Sequence, residues 1–435
     1  MSLNEYLPLD DAALPEAEAT PDGDSPLFDE VRAIVSSVML IDEAQELHQD
    51  EHYAVAFRGT LHAEPSAAYE RLTQALEPRG FTAFLQRDSV SDVILTVQGL
   101  TNLDAETGGG PLRRLIRASG RSPGWLHGAL LLATIATTVY MGALLLSRTG
   151  VSSLGAALAA GGPFALALLL ILGVHEMGHY VAARYHKVNV TLPFFIPLPV
   201  PGSLGTLGAV IFIRSPLQNR KALFDVGISG PLAGLVVAIP LFIIGLLLSP
   251  IDFGAPITLT FRGVGVPVLL NVVGHAFVDG NLSRVILLHP VALAAWFGVL
   301  LTALNLLPLG QFDGGHVAYA LVGRLAWPLA WLVFGGLIVA GFFFWQTWLL
   351  WAFLAGLSGL HHPPPNNDIT PLDLRRRILG WVTVVLFLLI VVPEPIVVRD
   401  GIFGPSPTDP NAPPPPTVIV PDIPTPTPFI LGDSQ

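Results

Sequence analysis

Two histidines and a glutamate stand together in the middle of an apolar run, as His175-Glu176-Met177-Gly178-His179. Residues four apart on an α-helix lie one turn apart on the same face, so both imidazoles can grip one ion. Glu176 follows the first imidazole and projects beside that ion, where it can take a proton from water. This is the H-E-x-x-H logic of a zinc hydrolase. With 12 histidines and 13 glutamates in the chain, the pattern arises by chance about 0.01 times per sequence. Glu176 is also the only glutamate between residues 107 and 393. A carboxylate placed inside an apolar helix costs about 2.5–3.5 kcal/mol to insert, which makes it a functional candidate by default.

A catalytic zinc takes three protein ligands and keeps one position open. Two familiar completions are closed by the local sequence. Ala182 and Tyr185 stand where a metzincin needs Gly and His, and no second glutamate precedes Glu394 in the apolar half. The third ligand must come from another span. Asp313, in Asn305-Leu306-Leu307-Pro308-Leu309-Gly310-Gln311-Phe312-Asp313-Gly314-Gly315-His316, is the leading candidate. Its segment and the histidine segment run in the same direction and end at similar depth. His316 is the rival ligand, or else a helix-start or supporting residue. Asp225 reads as an N-cap. Asp279, His275 and His289 fall on the opposite side, and His361 and His362 read as a solvated turn before prolines.

The elements that must position these groups follow from composition. The 435 residues are 51% hydrophobic and 13% charged, with a mean hydropathy of +0.60. So few charges cannot cover a soluble domain of this size, and most of the chain belongs in lipid. The absence of cysteine excludes thiolate catalysis, iron–sulfur clusters and cysteine zinc sites. The net charge of −11 is uneven, because residues 1–123 hold 9 arginines and 21 acidic residues. Without a concentrated basic patch, nucleic acid is not an expected partner.

The expected organisation is a disordered acidic leader (1–24), a small cytoplasmic α+β domain (25–105) and a basic linker (106–123). A transmembrane domain (124–392) and a proline-rich disordered tail (393–435) follow. Within the small domain, helical spacing runs from Phe28 to Leu47, with a strand near 53–57, a helix at 66–76 and strands at 81–85 and 93–97. Seven spans are expected near 124–146, 162–185, 222–248, 290–308, 326–344, 346–361 and 378–392. No strong turn signal separates the fifth from the sixth. If residues 1–123 are inside, 13 basic residues flank the inner ends of the spans and 4 the outer ends. The positive-inside rule then puts the N-terminus in the cytoplasm and the C-terminus outside, in a cell membrane crossed several times. Residues 190–214, interrupted by Pro193, Pro197, Pro199, Pro201 and several glycines, cannot form a spanning helix. They are expected to make a re-entrant hairpin.

In this order, His175 to His179, Gly230-Pro231-Leu232-Ala233-Gly234 and Asn305…Asp313-Gly314-Gly315 resemble the site-2 protease family of intramembrane zinc metalloproteases. The likeness covers residues 160–325 and is closest to the ethylene-dependent gravitropism-type branch and its bacterial relatives. It implies a three-helix metalloprotease core, one Zn2+ per chain held by His175, His179 and Asp313, and Glu176 as the catalytic base. It further implies substrate binding near Asn305 and along Gly202, Gly205 and Gly208, with single-pass transmembrane proteins as substrates in the lipid bilayer. Phe312 departs from the family's common Leu before Asp-Gly, which touches pocket shape more than chemistry. A non-proteolytic zinc-binding scaffold or transporter is the alternative.

Overall fold

A computed structural model describes residues 26–49, 52–88, 92–99, 124–146, 153–200, 203–249, 267–277, 289–344 and 346–392. The expected leader, basic linker and proline-rich tail lie outside the described residues, as does Gly202.

The N-terminal part runs α1 (Pro26–Ser36), β1 (Met39–Gln49), β2 (His52–Leu61), α2 (Pro65–Leu76), β3 (Phe81–Arg87) and β4 (Val93–Gly99). The helical spacing expected to reach Leu47 stops at Ser36, and the residues beyond it are a strand. β1 pairs with β2 from Met39↔Leu61 to Gln49↔His52, with a register shift between Ile41 and Glu43. Cross-strand pairing along a whole strand outweighs a local periodicity of 3.6. The four strands form one antiparallel sheet in the order β1-β2-β4-β3. Phe28, Val31 and Val35 of α1 and Leu72 and Leu76 of α2 are buried with Val55, Phe57, Leu85, Leu95 and Val97 of the sheet.

The apolar part holds α3 (Gly124–Leu146), α4 (Leu154–Tyr185), β5 (Phe194–Leu198), β6 (Gly205–Val210), α5 (Arg220–Leu247), α6 (Val268–Phe277) and α7 (Pro290–Asn305). After these come α8 (Asp313–Val322), α9 (Ala326–Phe343), α10 (Thr347–Ser358) and α11 (Leu374–Ile390). Ser153 and Asn219 cap α4 and α5, their side chains accepting from the Ala156 and Ala222 amides. Among the described residues, four helical runs are long and apolar enough to cross a membrane: Gly124–Leu146, Leu154–Tyr185, Arg220–Leu247 and Asp313–Phe343. The last is interrupted by a 3-10 turn at Gly323–Leu325. Helix α7, with 16 residues, extends about 24 Å, short of the ~30 Å hydrocarbon layer. The apolar stretch 326–361 divides at Phe344–Gln346 into α9 and α10, which pack on each other.

Helices α4, α5 and α7 pack mutually, and α8 lies against α5. The β5–β6 hairpin packs on α3, where the Thr137 hydroxyl donates to the Gly205 carbonyl at 2.7 Å. Gly205 has φ +82°, and a Cβ there would stand 2.4 Å from the Thr138 Cα. Both the backbone conformation and the space therefore demand glycine.

Candidate metal centre

Helix α4 presents His175 and His179 on one face, as four-residue spacing requires, and both are buried. Asp313 opens α8 and points its carboxylate at the same spot. The His175 and His179 Nε2 atoms are 3.1 Å apart, and each is 3.3 Å from Asp313 Oδ2. A tetrahedral centre with bonds of about 2.0–2.1 Å separates its ligand atoms by about 3.3 Å. The near-equilateral triangle therefore has the size that a zinc ion would impose. Among the described residues, these three form the one group of histidine and carboxylate side chains gathered closely enough to hold a metal ion.

The helix beside α4 completes the cradle. His179 Nδ1 donates to the Val226 carbonyl of α5 at 2.7 Å. That bond fixes the tautomer and leaves the Nε2 lone pair facing the other donors. Gly230 lies where a Cβ would stand 2.1 Å from His179 Nε2, and a Cβ on Gly234 would lie 3.2 Å from His175 Nδ1. These glycines pack directly against the two imidazoles. Asn305, the last residue of α7, holds its Nδ2 3.2 Å from His175 Nε2. Glu176 is buried beside the triangle, its carboxylate bonded by the backbone of Ile211, just past β6. The hairpin thus reaches the site, with Gly205 and Gly208 both on β6.

Several neighbours differ from expectation. Asp225 is not a cap, since Asn219 fills that role. It accepts from Arg376 of α11 at 2.6 and 2.7 Å and pairs with His186, just past α4, at 2.7 Å. His316 bonds His362 through Nδ1 rather than joining the triangle. His362 is buried, not solvated, and stacks on Tyr319. Burial, and secondarily His316, push its imidazole down to about 3, so it is neutral at physiological pH. These long-range pairs carry no local sequence signal. The Val226 carbonyl, a backbone group, could be found from sequence only by placing α5 first. His289 caps α7, the His275 side chain is not described, and Asp279 lies outside the described residues.

Two imidazoles and a carboxylate converge around one point, with a further carboxylate beside them and apolar helices packed about them, a donor set that can hold a metal ion and activate water. Residues 163–338 match the family model described as Peptidase family M50, so the apolar part of the chain carries a domain similar to the site-2 proteases. It is 27% identical over 364 residues to "Probable zinc metalloprotease EGY2, chloroplastic" of Arabidopsis thaliana, covering 78% of this chain and 60% of the relative. It is 34% identical over 242 residues to "Probable zinc metalloprotease EGY1, chloroplastic" of Oryza sativa subsp. japonica, covering 53% of this chain and 40% of the relative. The chain thus spans 40–60% of the length of these two curated relatives. No solved structure matches it.

Proposed function

We propose that this protein is an intramembrane zinc endopeptidase that cleaves a peptide bond within or beside the transmembrane segment of single-pass membrane proteins, as in regulated intramembrane proteolysis. The observation that carries this reading is the 3.1–3.3 Å triangle of His175, His179 and Asp313 beside the buried Glu176. Bound there, zinc would supply Lewis-acid polarisation of the scissile carbonyl and of the attacking water.

The remaining steps belong to the chain. Glu176 takes the proton from water on a carboxylate oxygen and passes it to the departing amine nitrogen. Asn305 Nδ2, beside His175, donates to the peptide carbonyl as negative charge gathers on its oxygen. A helical substrate hides its carbonyls in its own hydrogen bonds, so it must unwind before attack. The hairpin edge with Gly205 and Gly208 offers backbone groups for strand addition and holds the unwound segment beside Glu176. Gly202, outside the described residues, is proposed as a further substrate-binding residue. In this reading the hairpin is re-entrant, with seven spans around it. The sequence divides into the N-terminal α+β domain of 25–105 and the peptidase domain of 124–392. The distribution of loop charges supports an N-terminal domain on the cytoplasmic face of a cell membrane.

The test is cleavage of a model transmembrane peptide by the purified full chain. Glu176→Gln retains its zinc and loses activity by about a hundredfold or more. Unchanged cleavage by that variant removes Glu176 from the reaction and ends the reading.

A further inference from the structure

Between α10 and α11, the residues Asn366–Asp368 are bonded on both sides. On one side the Leu85 amide of β3 donates to the Asn366 carbonyl at 2.6 Å, and the Asp368 amide donates to the Leu85 carbonyl at 2.9 Å. On the other, the Asn366 and Asn367 amides donate to the Leu217 and Gln218 carbonyls at 3.0 and 2.9 Å. The segment therefore adds a rung to the edge of the N-terminal sheet and joins it to the residues that lead into α5. Ile369, one residue on, is buried in the hydrophobic core of the N-terminal part. The Asn367 side chain donates to the Pro65 carbonyl at 3.4 Å.

Asp368 faces the other way. Its carboxylate, 5% exposed, accepts from Arg220 Nε at 2.8 Å and from the Tyr319 hydroxyl at 3.2 Å. Arg220 opens α5, less than two turns before Val226, whose carbonyl holds His179. Tyr319 lies in α8, less than two turns beyond Asp313. One buried carboxylate thus ties together the helix that orients a histidine and the helix that carries the aspartate. A buried ion pair gives little net stability after desolvation, and its best-attested use is to fix register.

We infer that Asp368 is a positioning residue for the metal centre, and that the N-terminal sheet, by gripping the segment that carries it, sets the distance between Asp313 and the two imidazoles. The inference rests on the zinc-endopeptidase reading and assigns the N-terminal part a role in it.

The test uses the full chain in detergent, loaded with Co2+ as a spectroscopic stand-in for zinc, with the visible d–d spectrum and the rate of metal loss to a chelator as readouts. Asp368→Asn is expected to shift the spectrum and to release metal roughly tenfold faster. Asp368→Glu restores most of both, and Asn367→Ala gives a smaller change in the same direction. A wild-type spectrum and release rate in Asp368→Asn overturn the inference, whatever that variant's thermal midpoint, because a merely structural carboxylate would move only the midpoint. If Asp368→Asn does not fold, Tyr319→Phe removes one bond and leaves Arg220 paired. An unshifted spectrum there overturns the inference equally. A wild-type chain that takes up no cobalt overturns both readings. One that binds cobalt in the expected way, yet in its zinc form cleaves no transmembrane peptide, ends the peptidase reading alone, and the spectra still decide Asp368.

Discussion

His175 and His179 meet within one helix, whereas His316 and His362 meet across 46 residues of chain. As ring pairs they are alike, with centroids 4.9 and 4.6 Å apart and planes inclined at 68° and 82°. Their surroundings differ. The first pair has a carboxylate equidistant from both Nε2 atoms, a backbone acceptor fixing one tautomer, and two glycines clearing space. The second has the Tyr319 ring at 5.2 Å and no carboxylate completing a group of three among the described residues. Two buried imidazoles are therefore not yet a metal site. Convergence of a third donor separates a centre for an ion from a contact that fastens a loop to α8.

The sharpest way to break this contrast is to remove one imidazole from each pair. His179→Gln is expected to lose zinc by more than the roughly 10–100-fold that the loss of a supporting partner costs. His362→Gln stays within about tenfold of wild type. Metal analysis after dialysis against a chelator reads both, and equal retention by the two variants erases the distinction. A smaller effect tests the cleared space. Gly230→Ala drives a methyl into the His179 ring, so zinc retention falls and stability drops by about 1–3 kcal/mol, the usual range for overpacking. Normal retention in a normally folded Gly230→Ala chain shows that the cradle gives way freely. The smallest effect belongs to a residue outside both pairs. Asn219→Ala removes the cap of α5 and is expected to cost about 1 kcal/mol in a denaturation midpoint, with zinc unaffected.

The parts of the site that were legible beforehand are those written within one element. The His175–His179 spacing names a helical face, and the apolar run around it names a helix. Asp313 follows from the need for a third donor at matching depth. What the sequence could not express is pairing between distant segments. Asp225 looks like a cap until Arg376 is brought beside it. His362 looks solvated until α8 is laid over it. β1 reads as helix because its apolar residues satisfy a helical period, and only β2 across the sheet makes it a strand. The break between α9 and α10 has no glycine or proline to announce it.

The rung formed by Asn366–Asp368 also has a consequence for biosynthesis. Asn367 reaches back 302 residues to Pro65. At about 5–20 residues per second, β3 leaves the ribosome roughly 15–60 s before its covering segment exists. During that interval the sheet presents an open edge, a template for mispairing between nascent chains. Translation therefore has to pass the end of α10 before the edge of the N-terminal sheet can be covered against aggregation.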